Sequence, residues 1–141
     1  GKVGLLRQND FEFRQRGQSG IWISELFPHL AGVADELTII RSMSHGEAAT
    51  RLRRNMEACE QGRQLIIANY FSETAIGSGD YGHFSPVAAY DARQDSVLVM
   101  DVWRFEYEPY WIPVAKLVAG MMSASRITGE PRGYLTVGLD P

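Results

Sequence analysis

Three apolar runs stand out along the chain: "QLIIANYF" at 64–71, "SPVAAYD" at 85–91 and "SVLVM" at 96–100. Polar breaks separate them, and their residues suit a pleated, half-buried surface, so each predicts a β-strand. Thr38, Ile39 and Ile40 in "LTIIRSM" predict a further short strand, and "YLTVG" at 134–138 a last one. Other stretches follow a helical period. Ala49, Leu52, Met56 and Cys59 form one stripe of a helix starting at Glu47 and stopping at Gly62. Val114, Leu117, Val118, Met121 and Met122 form the core face of another, opened by Pro113. "SELFPHLAGVADE" predicts a helix capped by Ser24, with Leu26, Leu30, Val33 and Ala34 near one face. Residues before Ser24 read as irregular because Gly17, Ser19 and Gly20 interrupt short apolar patches. "SETAIGSGDYG" reads as a Gly-rich loop, and "RFEYEPYWIP" as an extended aromatic segment punctuated by Pro109 and Pro113.

Residues 82–105, "GHFSPVAAYDARQDSVLVMDVWRF", carry two of these runs around the polar break "DARQD", which predicts a hairpin. With a three-residue loop, Asp91 faces Asp95, Ser85 faces Asp101 and His83 faces Trp103. Opposed residues share a face, as do residues i and i+2. His83 and Asp101 then stand diagonally on one face, about 7–8 Å apart by Cα. An even loop length would put them on opposite faces. A carboxylate bonded to one imidazole nitrogen fixes the tautomer and stabilises the imidazolium. The other nitrogen is then free to activate a Cys or Ser. The same spacing also fits a structural pair, with His83 capping a strand and Asp101 accepting backbone N–H groups.

The hydrophobic fraction of 45% and charged fraction of 22% are those of an ordinary globular chain with a sizeable core. A net charge of -3 gives no bulk attraction to nucleic acid or an anionic membrane. Arg51, Arg53 and Arg54 are most simply a solvated helix face. The single cysteine, Cys59, excludes an internal disulfide. No apolar run is long enough for a membrane span, and no secretory h-region opens the chain, so a cytoplasmic location is expected. The absence of an initiator Met is expected of a fragment. His29 and His45 lack ligand-type neighbours at metal-site spacing, and "GQSG" around Ser19 does not meet the G-x-S-x-G pattern.

"LIIANY", "GHFSPVAAYD", "DSVLVMDV", "RFEYEPYWIP" and "RGYLTV", in this order, resemble the phytochelatin synthase family over about residues 47–138. The resemblance implies an α+β fold: the back, antiparallel-sheet half of a papain-like cysteine peptidase, with flanking helices. It implies acyl transfer from glutathione through a Cys thioester with loss of Gly, giving phytochelatins. Heavy-metal ions such as cadmium or zinc, or their glutathione thiolates, are implied as activators. Carried over by motif, His83 looks like the general base and acid, Asp101 like its orienting carboxylate, and Arg104 like a substrate-binding cation. Gly82 and Ser85 shape the same motif.

The chain also departs from that family. Trp103 stands where a small residue is usual, Glu106 where Lys is common and Glu108 where Pro is common. The family's nucleophile lies well upstream of "GHFSP", whereas Cys59 sits on an apolar helix stripe and reads as an inert hydrophobe. Residues 9–43 instead resemble a fragment of a bacterial family of unknown function related to alkaline phosphatases and sulfatases. The two resemblances imply a composite chain: a segment at 1–46, then a partial phytochelatin-synthase-like domain at 47–141. Glutathione is the expected partner, with a homodimer or a missing front-half chain completing the domain. A non-catalytic remnant binding a thiol peptide or partner chain is the alternative. Without a front half, the sheet face bearing His83 is expected to be partly uncovered.

Overall fold

A computed structural model describes residues 12–40, 43–103, 105–126 and 128–139. The chain divides into two compact units, residues 1–37 and 38–141.

The first unit contains a hairpin where the sequence suggested irregular chain. Strands β1 (Phe13–Arg16) and β2 (Ile21–Ser24) pair antiparallel, with Gln15 opposite Trp22. Gly17 and Gly20 turn the chain at φ 65° and 66°, a backbone region that favours glycine. Asp35 Oδ1 accepts the Gln18 N–H at 2.6 Å and the Ser19 N–H at 3.3 Å, tying down the turn. The helix expected from Ser24 is shorter: α1 covers Pro28–Gly32, and a 3-10 turn follows at Ala34–Glu36. Pro28 explains the late start. It has no N–H to donate and disfavours helical backbone at Phe27, so it can only open a helix.

The second unit is α+β, as expected from the sequence. Strands β3 (Leu37–Ile40), β4 (Gln64–Phe71), β5 (Gly82–Asp91), β6 (Ser96–Val99), β7 (Tyr110–Pro113) and β8 (Tyr134–Gly138) form one sheet. Their order is β3-β8-β4-β5-β6-β7. The β8–β4, β4–β5, β5–β6 and β6–β7 pairs are antiparallel. Helices α2 (His45–Glu60) and α4 (Val114–Met122) pack on one face of the sheet. Helix α2 starts two residues before Glu47. Ser44 is its N-cap, and Glu47 closes a capping box with it. Its buried stripe is Ala48, Leu52 and Met56, with Ala49 and Cys59 at the margin of the core. The predicted Gly-rich loop begins with a single helical turn, α3 (Ser72–Ile76), ended by Gly77 at φ 74°.

Strand alternation sorts the rest. Ile66, Ala68, Tyr70, Val87, Val97, Val99, Ile112 and Tyr134 point into the core with Leu117 and Met121 of α4. Gly120 lets α4 sit against the end of β4: a Cβ there would lie 3.1 Å from the Phe71 carbonyl oxygen and 3.2 Å from Tyr70 Cβ. The helices cover the face bearing His83 over Val87, Val97 and Val99, so this part of it is buried rather than uncovered. The opposite face is the open one, with Leu65, Phe84 and Trp111 at 50%, 52% and 54% exposure. Among the described residues no helix is long and apolar enough to cross a membrane.

Candidate active site

His83 and Asp101 do meet, by a route the simple hairpin count does not contain. The loop has four residues, Ala92–Asp95, since Asp91 pairs with Ser96. That even length shifts the register by one, giving Tyr90 opposite Val97 and Ala89 opposite Leu98. A bulge between Val87 and Ala89 absorbs one residue, and Val87 then faces Val99. Continuing this register puts Ser85 opposite Asp101, the relation expected from sequence. The three-residue loop was wrong, and the bulge cancels the error.

The loop is built for its length. Asp91 Oδ1 accepts the Arg93 N–H at 2.8 Å, and Asp95 takes φ 49°. Arg53 on α2 then holds the Asp95 carboxylate in two bonds of 2.7 Å, and the Tyr90 hydroxyl donates to it at 3.0 Å. Arg53 thus anchors the hairpin tip to α2.

His83, the second residue of β5, stands directly opposite Tyr70 of β4. Its Nε2 lies 3.0 Å from the Tyr70 hydroxyl and 3.2 Å from Asp101 Oδ2. Asp101 Oδ2 also lies 2.9 Å from the Tyr70 hydroxyl and 2.9 Å from the Tyr110 hydroxyl. Asp101 Oδ1 accepts the Trp103 N–H at 2.8 Å. The two phenols touch each other at 2.7 Å, and Ser85 Oγ lies 3.4 Å from Tyr70. The Asp101 side chain is wholly buried and that of His83 is 14% exposed.

Electrostatics follow from this packing. Burial works to raise the Asp101 pKa, but the Trp103 amide, the Tyr70 and Tyr110 hydroxyls and His83 outweigh it and hold the carboxyl below its ordinary range. Burial first, and the Asp101 charge with it, pushes the Tyr70 hydroxyl up to about 12. Burial, Tyr70 and Asp101 push Tyr110 up further. At neutral pH the site therefore holds an ionised carboxylate and two neutral phenols. An ionised carboxylate only accepts, so the nitrogen that faces it carries the proton. His83 is then the Nε2–H tautomer, with its lone pair on Nδ1.

Nδ1 has no hydrogen-bond partner among the described residues. His83 lines a cleft of about 270 Å³ with Tyr81, Gly82, Val102 and Trp103. Tyr81 stacks on the imidazole at 5.3 Å between ring centres, and Trp103 lies against Tyr81 at 4.7 Å. Tyr70 meets the imidazole edge-on at 5.0 Å. The ring is thus fixed from two sides and open on one.

Tyr81 and Gly82 also border a larger cleft of about 810 Å³, whose lining includes Phe71, Phe84, Arg126 and Arg132. Arg126 makes two bonds to Asp80, at 2.9 and 2.6 Å. Arg132 Nη1 is held by the Ser123 and Ala124 carbonyl oxygens at 2.7 and 3.0 Å and by Ser123 Oγ at 2.9 Å. Among the described residues Arg132 has no carboxylate partner. Gly82 makes room for it, because a Cβ there would come within 2.6 Å of Arg132 Nε. Burial, then repulsion from Arg126, lowers the Arg132 pKa, as for a cation short of negative charge.

Arg104 lies outside the described residues. Cys59 does not line the cleft at His83. It packs against the core, where burial, and secondarily Glu60, raises its thiol pKa, opposite to an activated nucleophile. Among the described residues no three His, Cys, Asp or Glu side chains stand close enough to share a metal ion. Tyr70, Tyr110 and Arg132 were missed from sequence. Only Tyr70 left a signal, as a residue of the strand predicted at 64–71.

An imidazole with one nitrogen held by a carboxylate and the other facing a cleft has the geometry that a general base requires. The chain belongs to the phytochelatin synthase family, which it matches over residues 6–134. That match also takes in residues 9–43, and none of the comparisons supports the resemblance read there to alkaline phosphatases and sulfatases. The chain is 36% identical over 84 residues to glutathione gamma-glutamylcysteinyltransferase 3 of Lotus japonicus, covering 60% of this chain and 17% of the relative. It is 43% identical over 85 residues to glutathione gamma-glutamylcysteinyltransferase 1 of Arabidopsis thaliana, covering 60% and 18%. Against the glutathione gamma-glutamylcysteinyltransferase of Schizosaccharomyces pombe it is 31% identical over 83 residues, covering 59% and 20%. The matched stretches thus span a fifth or less of these relatives.

Proposed function

We propose that this chain carries the base and orienter of a papain-like glutathione γ-glutamylcysteinyltransferase, and that the nucleophilic thiolate comes from outside these 141 residues. In this reading the thiolate attacks the Cys–Gly amide carbonyl of glutathione. His83 Nδ1 has first taken the proton of the thiol, leaving the thiolate and an imidazolium; the C–N bond breaks as that Nδ1 proton passes to the departing Gly amine, leaving a γ-glutamylcysteinyl thioester. The amine of a second glutathione, or water, then attacks the thioester; His83 takes its proton and the thiolate leaves. Asp101 keeps the imidazole in the Nε2–H form and stabilises the imidazolium. Arg132 supplies positive charge for a peptide carboxylate. Metal ions enter as thiolates of the peptide substrate. The observation that carries the reading is His83 Nε2 at 3.2 Å from Asp101, with Nδ1 left over at a cleft.

The chain alone is expected to release no Gly from glutathione, as followed by mass spectrometry. Mixed with a Cys-bearing front half from a relative, it is expected to do so, and His83→Ala is expected to abolish the release. Gly release by the mixture that survives His83→Ala sinks the reading, as does turnover by the chain alone.

A further inference from the structure

We propose that Tyr70 is a positioning residue for His83, holding the imidazole together with Asp101, and that Tyr110 in turn orients Tyr70. The proposal rests on His83 acting as the base, but it concerns the state of the ring rather than turnover.

Proton accounting carries it. Tyr70 Oη, Tyr110 Oη and Asp101 Oδ2 form a triangle of 2.9, 2.9 and 2.7 Å. Two phenol protons cannot serve three sides, and two oxygens at 2.7 Å with no proton between them would repel. One phenol therefore donates to the other, and the second donates to the carboxylate. In either arrangement the Tyr70 oxygen keeps a lone pair for the Nε2–H of His83, and at 3.0 Å it is nearer to Nε2 than Asp101 is. Tyr70 is rigidly placed for this. It is fully buried, it pairs with His83 across the sheet, and Gly120 allows α4 to close over it. His83 thus reaches the carboxylate both directly and through a phenol.

Phenylalanine keeps the ring that meets His83 edge-on and deletes only the hydroxyl, so Tyr70→Phe isolates the bond. The assay is ¹⁵N NMR of the His83 imidazole in the full chain, which reports the tautomer of the neutral ring and the exchange rate of its Nε2 proton. The parent is expected to show one tautomer, Nε2–H, with a slowly exchanging proton. Tyr70→Phe is expected to speed that exchange about tenfold, the equivalent of one ordinary hydrogen bond, and to give a mixture of tautomers. Tyr110→Phe, which removes no contact to the imidazole, is expected to shift both readings the same way by less. A folded Tyr70→Phe chain with the parent's tautomer and exchange rate overturns the proposal. Should Tyr70→Phe fail to fold, unaltered readings in Tyr110→Phe overturn it instead. Failure of the catalytic reading is seen separately: a well-held imidazole in a reconstituted enzyme that cleaves no glutathione leaves this proposal standing.

Discussion

Asp101→Asn is nearly isosteric, yet the site predicts a specific double effect. With its amide oxygen on the Trp103 N–H, the new side chain turns an NH2 group toward Tyr70, Tyr110 and His83. In the parent, His83 and one of the two phenols direct protons at that point. The phenols can rotate to adapt: both accept from the NH2, Tyr110 donates to Tyr70, and Tyr70 donates to Nε2 of His83. Every group is then satisfied, but the imidazole proton has moved to Nδ1, and the lone pair needed by a base is gone. Energetically, bonds to a charged acceptor become neutral ones, a difference of roughly 1 kcal/mol per bond. Three such bonds are affected, and relief from burying a charge offsets part of the loss. The net destabilisation expected at neutral pH is about 1–3 kcal/mol.

The pH dependence has a fixed sign. The folded Asp101 pKa lies below its ordinary value, near 3.9 in an unfolded chain. Its stabilisation is complete above that value and is lost as pH falls through the depressed folded pKa. Urea unfolding should therefore show the parent ahead of Asp101→Asn at pH 7, with the gap closing under acid. The imidazole ¹⁵N spectrum of the variant should show Nδ1–H. A gap that stays constant into strong acid, or an unchanged tautomer, would refute the network as drawn.

Gly120→Ala gains helix propensity of about 1 kcal/mol but drives a methyl against the Phe71 carbonyl and Tyr70. Net destabilisation of about 1–2 kcal/mol is expected from urea midpoints. Arg132→Gln is expected to weaken glutathione binding by about tenfold or more in calorimetry, the loss of one charge-assisted bond. Gly82→Ala should weaken binding in the same direction by displacing the guanidinium. If neither change moves the affinity, Arg132 does not meet the peptide. Cys59 should react with iodoacetamide at pH 7.5 more slowly than a free thiol, with its rate profile midpoint shifted upward, because burial raises its pKa. Arg53→Ala should cost no more than about 1 kcal/mol, since the pair with Asp95 is more than a third exposed.

Much of the second unit was legible because its signals are local. Apolar runs between polar breaks marked β4, β5, β6 and β8, and Pro113 with its apolar stripe marked α4. The start of α2 was placed at Glu47, which in the structure is the third helical residue and reaches back to cap Ser44. The first unit was illegible for the opposite reason. Its strands are four residues each, too short for a period to show, and two glycines in a turn look the same from sequence as two glycines in a coil. Tyr110 and Arg132 were hidden because no local pattern marks them. Each acquires its role from a partner far along the chain, Asp101 and Tyr70 for one, Gly82 and Phe71 for the other.

The hairpin shows why a parity rule can give the right face for the wrong reason. Loop length and bulge are separate local events, and each alone would turn Asp101 away from His83. The sheet can hold them together because burial acts on the sum, not on either part. Val87, Val97 and Val99 are all fully or nearly fully buried on the helix-covered face, and a single uncorrected slip would expose part of that set to water. At about 25 cal/mol per Å² of apolar area, turning out even two valines costs several kcal/mol. The same pressure that keeps the valines inward keeps Ser85 and Asp101 on the inner face. The core therefore selects the register, and the carboxylate reaches the imidazole because it travels on a strand whose apolar residues have no other stable place to go.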